Sequence, residues 1–348
     1  MTSTFIAELA AVGALAPSAD NAQPWRLTWN GEALAIGYVE RHASSKVFTA
    51  HSHATLLGVG AVAENLDTAL RANGVAGQWQ WASGDQQPYG SVALAHVPAT
   101  FTVPEGPLAR HTNRLPFRRD PLPAELVTRL GACREGGNRV VLLSDALRKA
   151  RLVRMVRLCS EARFCNRELH QWLFDSLRRT PAEVARGDGL DLNSLGLPPG
   201  GKSMLRFIAD WGRMRSLNRL GAYKLLARSE VGLIGAAPAL LCLTGPADSA
   251  SVIAAGRLLT RAWTTLNIEG IAVQPYYVVT DQLTRLHDGT LASGFSEQIA
   301  AVERDMHSLL GLPQGEVLHM ILRLGYPKAM PVRSRRLELG RVFSSITG

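Results

Sequence analysis

The feature that most constrains this chain is an internal echo. A shift of 196 residues lays Gly60–Gln78 on Gly256–Gln274 without a gap, and six of the nineteen positions match: Gly60/Gly256, Thr68/Thr264, Leu70/Leu266, Gly74/Gly270, Ala76/Ala272 and Gln78/Gln274. Both copies read as a helix, a glycine and then a strand. A repeated supersecondary unit this far apart implies two related halves that bury a face against each other. The chain has 348 residues, enough for two such halves with a real core. Few large apolar residues and two prolines mark 98–106 as the junction. The expected division is 1–103, a truncated first half, and 104–348, a second half with a lid-like insertion at 180–202.

The local pattern fixes the class. Trp25 to Tyr38 alternates around Asn30-Gly31, a hairpin signal. Thr55 to Asn73 has apolar residues at helical spacing and stops at Gly74. Strands are expected at Gln78–Trp81, Ser91–His96, Arg139–Leu143, Ala239–Thr244, Ala272–Val279 and His319–Leu324. Helices are expected at Phe5–Leu15, Pro123–Cys133, Ala146–Asp175, Met204–Leu226, Ser251–Asn267 and Ser296–Leu310. Thr180 to Lys202 carries eight Gly and Pro residues, the mark of an irregular functional loop. The sum is an α+β chain.

Composition narrows function. Hydrophobic residues are 46% and charged residues 19%, as in a folded globular protein. The net charge of +9 suits an anionic partner. No run of five like charges appears, and acids interleave with the bases, which counts against a nucleic-acid or anionic-surface binder. The four cysteines lack CxxC spacing and read as reduced, in a cytoplasmic setting. Val231–Leu243 is too short to span a bilayer and holds Pro238, so no membrane partner is expected. HExxH, GxxxxGK[ST] and GxSxG are absent. Gly58-Val59-Gly60-Ala61-Val62-Ala63 fits a dinucleotide fingerprint but lacks the strand before it and the acid after it, and reads as helix packing. His51-Ser52-His53 has no third metal ligand and reads as a solvated loop. No metal is expected.

Three segments carry chemistry. Pro17-Ser18-Ala19-Asp20-Asn21-Ala22-Gln23-Pro24-Trp25 sets amides and hydroxyls beside a tryptophan, suited to the edge of a planar heteroaromatic ring. Arg110-His111-Thr112-Asn113-Arg114 places Arg110, Thr112 and Arg114 on one side of an extended segment, a phosphate clamp. Arg333-Ser334-Arg335-Arg336 supplies further donors.

These segments resemble the nitroreductase family of flavoproteins. PSADNAQPW is similar to its PSxxNxQPW motif, and Arg110, Thr112 and Arg114 to its RxS/T-x-K/R phosphate motif. Ile268-Glu269-Gly270 resembles the turn beside the reactive flavin nitrogen, and Gly325-Tyr326-Pro327 with Arg333–Arg336 the closing strand and basic ligands. Here PSADNAQPW precedes the arginine motif, the reverse of the usual order. That order, with Arg167–Trp172 and Asp188-Gly189, resembles the Acg-like branch, in which two halves are fused.

The resemblance implies an intramolecular pseudodimer with antiparallel-rich sheets flanked by helices, and one composite site for flavin mononucleotide (FMN). Arg110, His111, Thr112, Arg114, Arg333, Arg335 and Arg336 would hold phosphate. Pro17, Ser18, Asn21 and Gln23 would meet the ring, with Glu269 and Gly270 near its reactive edge. No side chain is assigned as catalytic. The implied activity is NAD(P)H oxidoreduction toward a small-molecule acceptor, by a monomer or a homodimer. The alternative is a flavin-storage protein with a covered cofactor.

Overall fold

The computed structural model describes residues 4–40, 47–84 and 86–346. The chain opens with helix α1 (Thr4–Ala14), the hairpin β1 (Trp25–Trp29) and β2 (Ala33–Tyr38), and the long helix α2 (His53–Ala72). Strands β3 (Gly77–Trp81) and β4 (Gly90–Leu94) follow, then α3 (Glu105–Ala109), α4 (Ala124–Gly131), β5 (Arg134–Glu135) and β6 (Asn138–Leu143). Next come α5 (Ala146–Phe164), α6 (Arg167–Ser176), β7 (Leu177–Arg178), α7 (Pro181–Ala185), β8 (Leu190–Asp191), α8 (Gly201–Ile208), α9 (Trp211–Arg219) and α10 (Ala222–Gly235). The chain ends with β9 (Ala239–Pro246), α11 (Ser249–Ile268), β10 (Ala272–Tyr276), α12 (Val278–His287), α13 (Ser296–Leu310), β11 (Glu316–Gly325), α14 (Leu339–Val342) and β12 (Phe343–Ser345).

Two five-stranded sheets result, ordered β12-β1-β2-β4-β3 and β5-β6-β9-β11-β10. Four strands of each share one plan: β1-β2-β4-β3 and β6-β9-β11-β10 are antiparallel throughout, and in each a long helix joins the second strand to the strand at the far edge. The α+β expectation, rich in antiparallel pairs, holds; β1 with β12 and β7 with β8 are the parallel pairs among the described residues.

Burial explains the sequence texture. β9 is buried at its first seven positions, because one face meets the core shared with α2 and α11 and the other meets α5, α10, α12 and α13. A strand covered on both faces reads as an unbroken apolar run. β1 alternates, with Trp25, Leu27 and Trp29 inward.

The long helices α2 and α11 cross in close contact. A Cβ on Gly60 would lie 1.9 Å from the carbonyl oxygen of Ile253, and one on Gly256 would lie 2.1 Å from that of Leu57. Leu57 and Ile253 are themselves equivalent under the 196-residue offset. The contact is therefore reciprocal, as a two-fold requires. Around it Arg257 and Arg261 of α11 pair with Glu64, Asp67 and Glu135.

Chain segments cross between the sheets in both directions. After β4, residues 110–118 run to the second sheet, where the Asn113 amide donates to Val273 O at 2.8 Å and the Arg118 amide to Tyr326 O at 2.8 Å. After β11, the chain returns so that β12 lies parallel to β1.

Several expectations are corrected. Ala146–Asp175 breaks into two helices at Asn166, which caps the second through the amides of Glu168 and Leu169. Met204–Leu226 is not one helix: Asp210 caps α9 and Gly221, at φ +87°, starts α10. The strand expected to reach Val279 stops at Tyr276 and turns into α12. His53 is not in a solvated loop. Ser52 caps α2, and His53 follows with its Nε2 at 2.9 Å from Nδ1 of the buried His319.

Candidate functional site

The site is built on a strained loop. Asp20, Asn21 and Gln23 have φ of 44°, 58° and 51°, the non-glycine residues with positive φ among those described. Side chains disfavour this region, so surrounding contacts must impose it. Those contacts are visible. Asn21 Nδ2 donates to Gly189 O and Arg335 O, both at 3.0 Å, and to Gly187 O at 3.2 Å. Gln23 Nε2 donates to Gly187 O at 2.9 Å, and its Oε1 accepts the Leu337 amide at 3.1 Å. Ser18 Oγ accepts the Gln23 amide at 2.9 Å.

The hydrogen bonds of Ser18, Asn21 and Gln23 thus run within the chain. Their polar atoms bind the chain itself, and what they do is tie three distant segments into one junction. Backbone carbonyls at Gly187, Gly189 and Arg335 complement amide donors as well as a ligand edge does.

The insertion at 180–202 is accordingly ordered. Thr180 and Glu183 form a capping box on α7, and β8 pairs with β7. Gly187 has φ +81°, and a Cβ there would lie 2.0 Å from Arg336 O. Only glycine permits so close an approach.

The arginines converge on the start of the same loop. Arg110 Nη2 donates to Leu15 O at 2.6 Å and Arg336 Nη2 to the same oxygen at 3.1 Å. Arg336 Nη1 donates to Asn21 Oδ1 at 2.8 Å, and Arg333 Nη2 to Ala109 O at 2.7 Å. The guanidinium of Arg110 also lies over the ring of Trp263, 5.0 Å from its centroid. Nε of both Arg110 and Arg336 is buried with no hydrogen-bond partner among the described residues.

The electrostatics are one-sided. Burial, then the charges of Arg336 and Arg333, push the Arg110 guanidinium well below its ordinary range, and it forms no ion pair among the described residues. Burial alone brings Arg336 down to about 10. Buried cations with free donors and no counter-charge are costly unless an anion completes them. The donor set, forked and charge-bearing, suits a phosphate.

The other expected residues are placed as follows. His111 donates its amide to Asn267 Oδ1 at 2.7 Å and accepts Trp263 Nε1 on its carbonyl at 2.9 Å. Its imidazole lies 2.8 Å from Ala109 O, and burial lowers its pKa. Thr112 is half-buried beside it. Arg114 diverges from Arg110: burial lowers its pKa, while Asp20 and Tyr276 pull it back up. Asp20 in turn accepts Trp172 Nε1 at 2.8 Å. The single convergent clamp expected of Arg110, Thr112 and Arg114 is therefore divided, with Arg110 at the Leu15 end of the loop and Arg114 at Asp20.

Arg335 is exposed and joins the junction through its carbonyl. Glu269 pairs with Arg129 of α4, and Gly270, at φ +73°, closes α11. Among the described residues, no hydrogen bond ties either to the loop at 15–24.

Beyond the loop, Ser18, Ala22, Tyr38, Phe48, Thr55 and Trp172 line a narrow recess. Phe48 meets Trp172 edge-on at 5.0 Å. Pro17 flanks it, with its carbonyl 3.6 Å from the position a Cβ on Gly58 would take. Tyr38, Phe48 and Thr55 carry no motif and escape a sequence reading. Trp263 escapes because it looks like any core residue of a helix. Among the described residues no group of three metal-ligating side chains forms, and no helix is long and apolar enough to cross a membrane.

No protein-family profile and no curated protein matches the chain. Solved structures do. An FMN and NADPH-dependent nitroreductase, NfnB, from sphigopyxis sp. strain HMH is 17% identical, over 69% of this chain and 96% of its own, with a TM-score of 0.37. A nitroreductase with bound FMN from Bacteroides fragilis is 12% identical, over 68% and 94%, at 0.33. A nitroreductase-like family protein from Bacillus cereus is 12% identical, over 73% and 100%, at 0.36.

Proposed function

We propose that this chain is an FMN-dependent oxidoreductase of the nitroreductase type, formed of two duplicated and fused halves with one composite flavin site. The observation that carries the reading is the pair of buried Arg110 and half-buried Arg336, two guanidiniums on one carbonyl with unpartnered Nε atoms and no ion pair among the described residues. They come from the two segments that cross between the sheets and meet at the PSADNAQPW loop.

Arg110 and Arg336 would hold the phosphate, with Arg333 at the rim. The aromatic side chains beyond Ser18 would stack against the ring. When bound, FMN supplies hydride chemistry between NAD(P)H and a small-molecule acceptor. The chain's own part is to bind, orient and exclude water. Asn21 and Gln23 fix the loop, and the Gly187–Gly189 strap lies across it. The shared topology of the sheets and the reciprocal Gly60/Gly256 contact support the duplication, with residues 1–103 and 104–348 as the halves.

A second reading is flavin storage. The observation favouring it is the strap itself, held on the loop by three hydrogen bonds from Asn21 and Gln23 to Gly187 and Gly189. Flavin absorbance in the purified protein tests the cofactor. Adding NADH or NADPH without oxygen separates the readings: bleaching supports turnover, and persistent colour supports storage. A colourless protein that takes up no FMN refutes both.

A further inference from the structure

We propose that residues 201–235 form a docking face for an anionic lipid surface, independent of any flavin. The argument begins with charge. The chain carries a net +9, and residues 146–235 hold 17 basic and 8 acidic side chains, also +9. The remainder of the chain is neutral. What reads as scattered charge along the sequence is the excess of one stretch.

Within it, α8, α9 and α10 concentrate the effect. Residues 201–235 have seven basic and two acidic side chains. Both acids are occupied: Asp210 caps α9, and Glu230 pairs with Arg163. None of the seven basic side chains forms an ion pair among the described residues, and Arg206, Arg215, Arg219 and Arg228 are exposed.

The same helices expose large apolar side chains. Met204 and Phe207, one turn apart on α8, are 53% and 50% exposed. Leu220, at the turn between α9 and α10, is 86% exposed, and Leu225 66%. Cations beside projecting leucine, methionine and phenylalanine match a bilayer interface, where headgroups meet the first and acyl chains receive the second. Nucleic acid rewards the cations but not an exposed leucine pair. A second copy in a two-fold contact would set this positive face against itself.

The test is flotation of the full chain with vesicles of phosphatidylcholine alone or mixed with phosphatidylglycerol. The wild type should float with the mixed vesicles and stay behind with the neutral ones. One basic residue near an anionic surface contributes roughly fivefold, so Arg219→Glu with Lys224→Glu should lower partition by at least tenfold. Leu220→Ser with Leu225→Ser leaves the charge intact and should lower it by roughly tenfold or more. All four positions are exposed, so melting temperatures should not move. Equal flotation with both vesicle types, or with neither, overturns the proposal. So does loss on charge reversal with no loss on the serine changes, which assigns the face to a polyanion such as RNA. Self-association that the serine changes abolish, without vesicle binding, assigns it to a second copy.

Discussion

Replacing Gly60 by alanine puts the duplicated architecture to a quantitative test. The new methyl would lie 1.9 Å from Ile253 O, 2.9 Å from the Arg257 amide and 2.9 Å from Gly256 Cα, all main-chain atoms of α11. Nothing there is a side-chain tip that swings aside. Reaching an ordinary contact needs α2 and α11 to part by on the order of 1.5 Å, and a gap of that size forfeits a large share of the dispersion between the faces. Overpacking of this kind costs about 1–3 kcal/mol, sometimes more, set against about 1 kcal/mol gained from alanine's helix propensity. Because every atom met is main chain, the cost belongs at the top of that range, and a net loss of about 2 kcal/mol follows. At about 2.1 cal/mol/K per residue, the 348 residues give an unfolding entropy of about 0.7 kcal/mol/K, so calorimetry should show a fall of about 3 °C. Gly256→Ala should match it. Because one separation relieves both methyls, the double variant should lose much less than the sum, a coupling of about 1–2 kcal/mol. Gly232→Ala on α10, where a Cβ meets nothing within 4 Å, should raise stability instead. Refutation would come from Gly60→Ala melting at or above the wild-type temperature, or from strict additivity of the pair.

Other outcomes follow from the site and the core. Arg110→Ala and Arg336→Ala should each weaken FMN binding roughly tenfold or more in a fluorescence titration, at about 1.4 kcal/mol per decade; unchanged affinity removes them from the phosphate site. Burial holds His53 at a pKa of about 4 and His319 at about 3. The unfolded chain therefore binds protons below about pH 6.5 while the native one does not, so stability is full above about pH 7 and falls by on the order of 3 kcal/mol toward pH 5. Denaturant midpoints across this range check it, and a flat profile in the wild type would count against the pair. Asn21→Ala removes the donor shared by Gly187, Gly189 and Arg335, and should speed proteolysis and hydrogen exchange in the strap at 186–190. Gly187→Ala should do the same by steric clash with Arg336 O.

What the sequence made legible was whatever repeats at short range. The Asn30-Gly31 hairpin, the helix ending at Gly74 and the glycines of α2 announce themselves within a few residues, and the structure keeps them. Met204–Leu226 hid its breaks because α8 to α10 lie on the surface, where half-exposed faces blur the apolar stripe that marks a helix's limits. β12 was invisible: Phe343–Ser345 earns its strand only by pairing with Leu27–Trp29. The amides of Asn21 and Gln23 looked like ligand donors because a side-chain amide has the same chemistry toward a flavin edge or a peptide carbonyl. Their partners lie 164 to 314 residues further on, beyond any local signal.

The exchange of chain segments explains why the arginines could be found by motif while their arrangement could not. Arg110 follows β4 of the first sheet and Arg336 follows β11 of the second, and the segment carrying each crosses between the sheets. In a symmetric pair of separate chains, crossings of this kind would depend on association and be lost on dilution. Joined in one polypeptide, they are a matter of folding alone. Residues 15–24 supply the strained loop, and residues 110, 187–189 and 333–336 supply the arginines and the strap. The cation cluster should therefore vanish with the contact between α2 and α11, because Arg110 lies over Trp263 of α11.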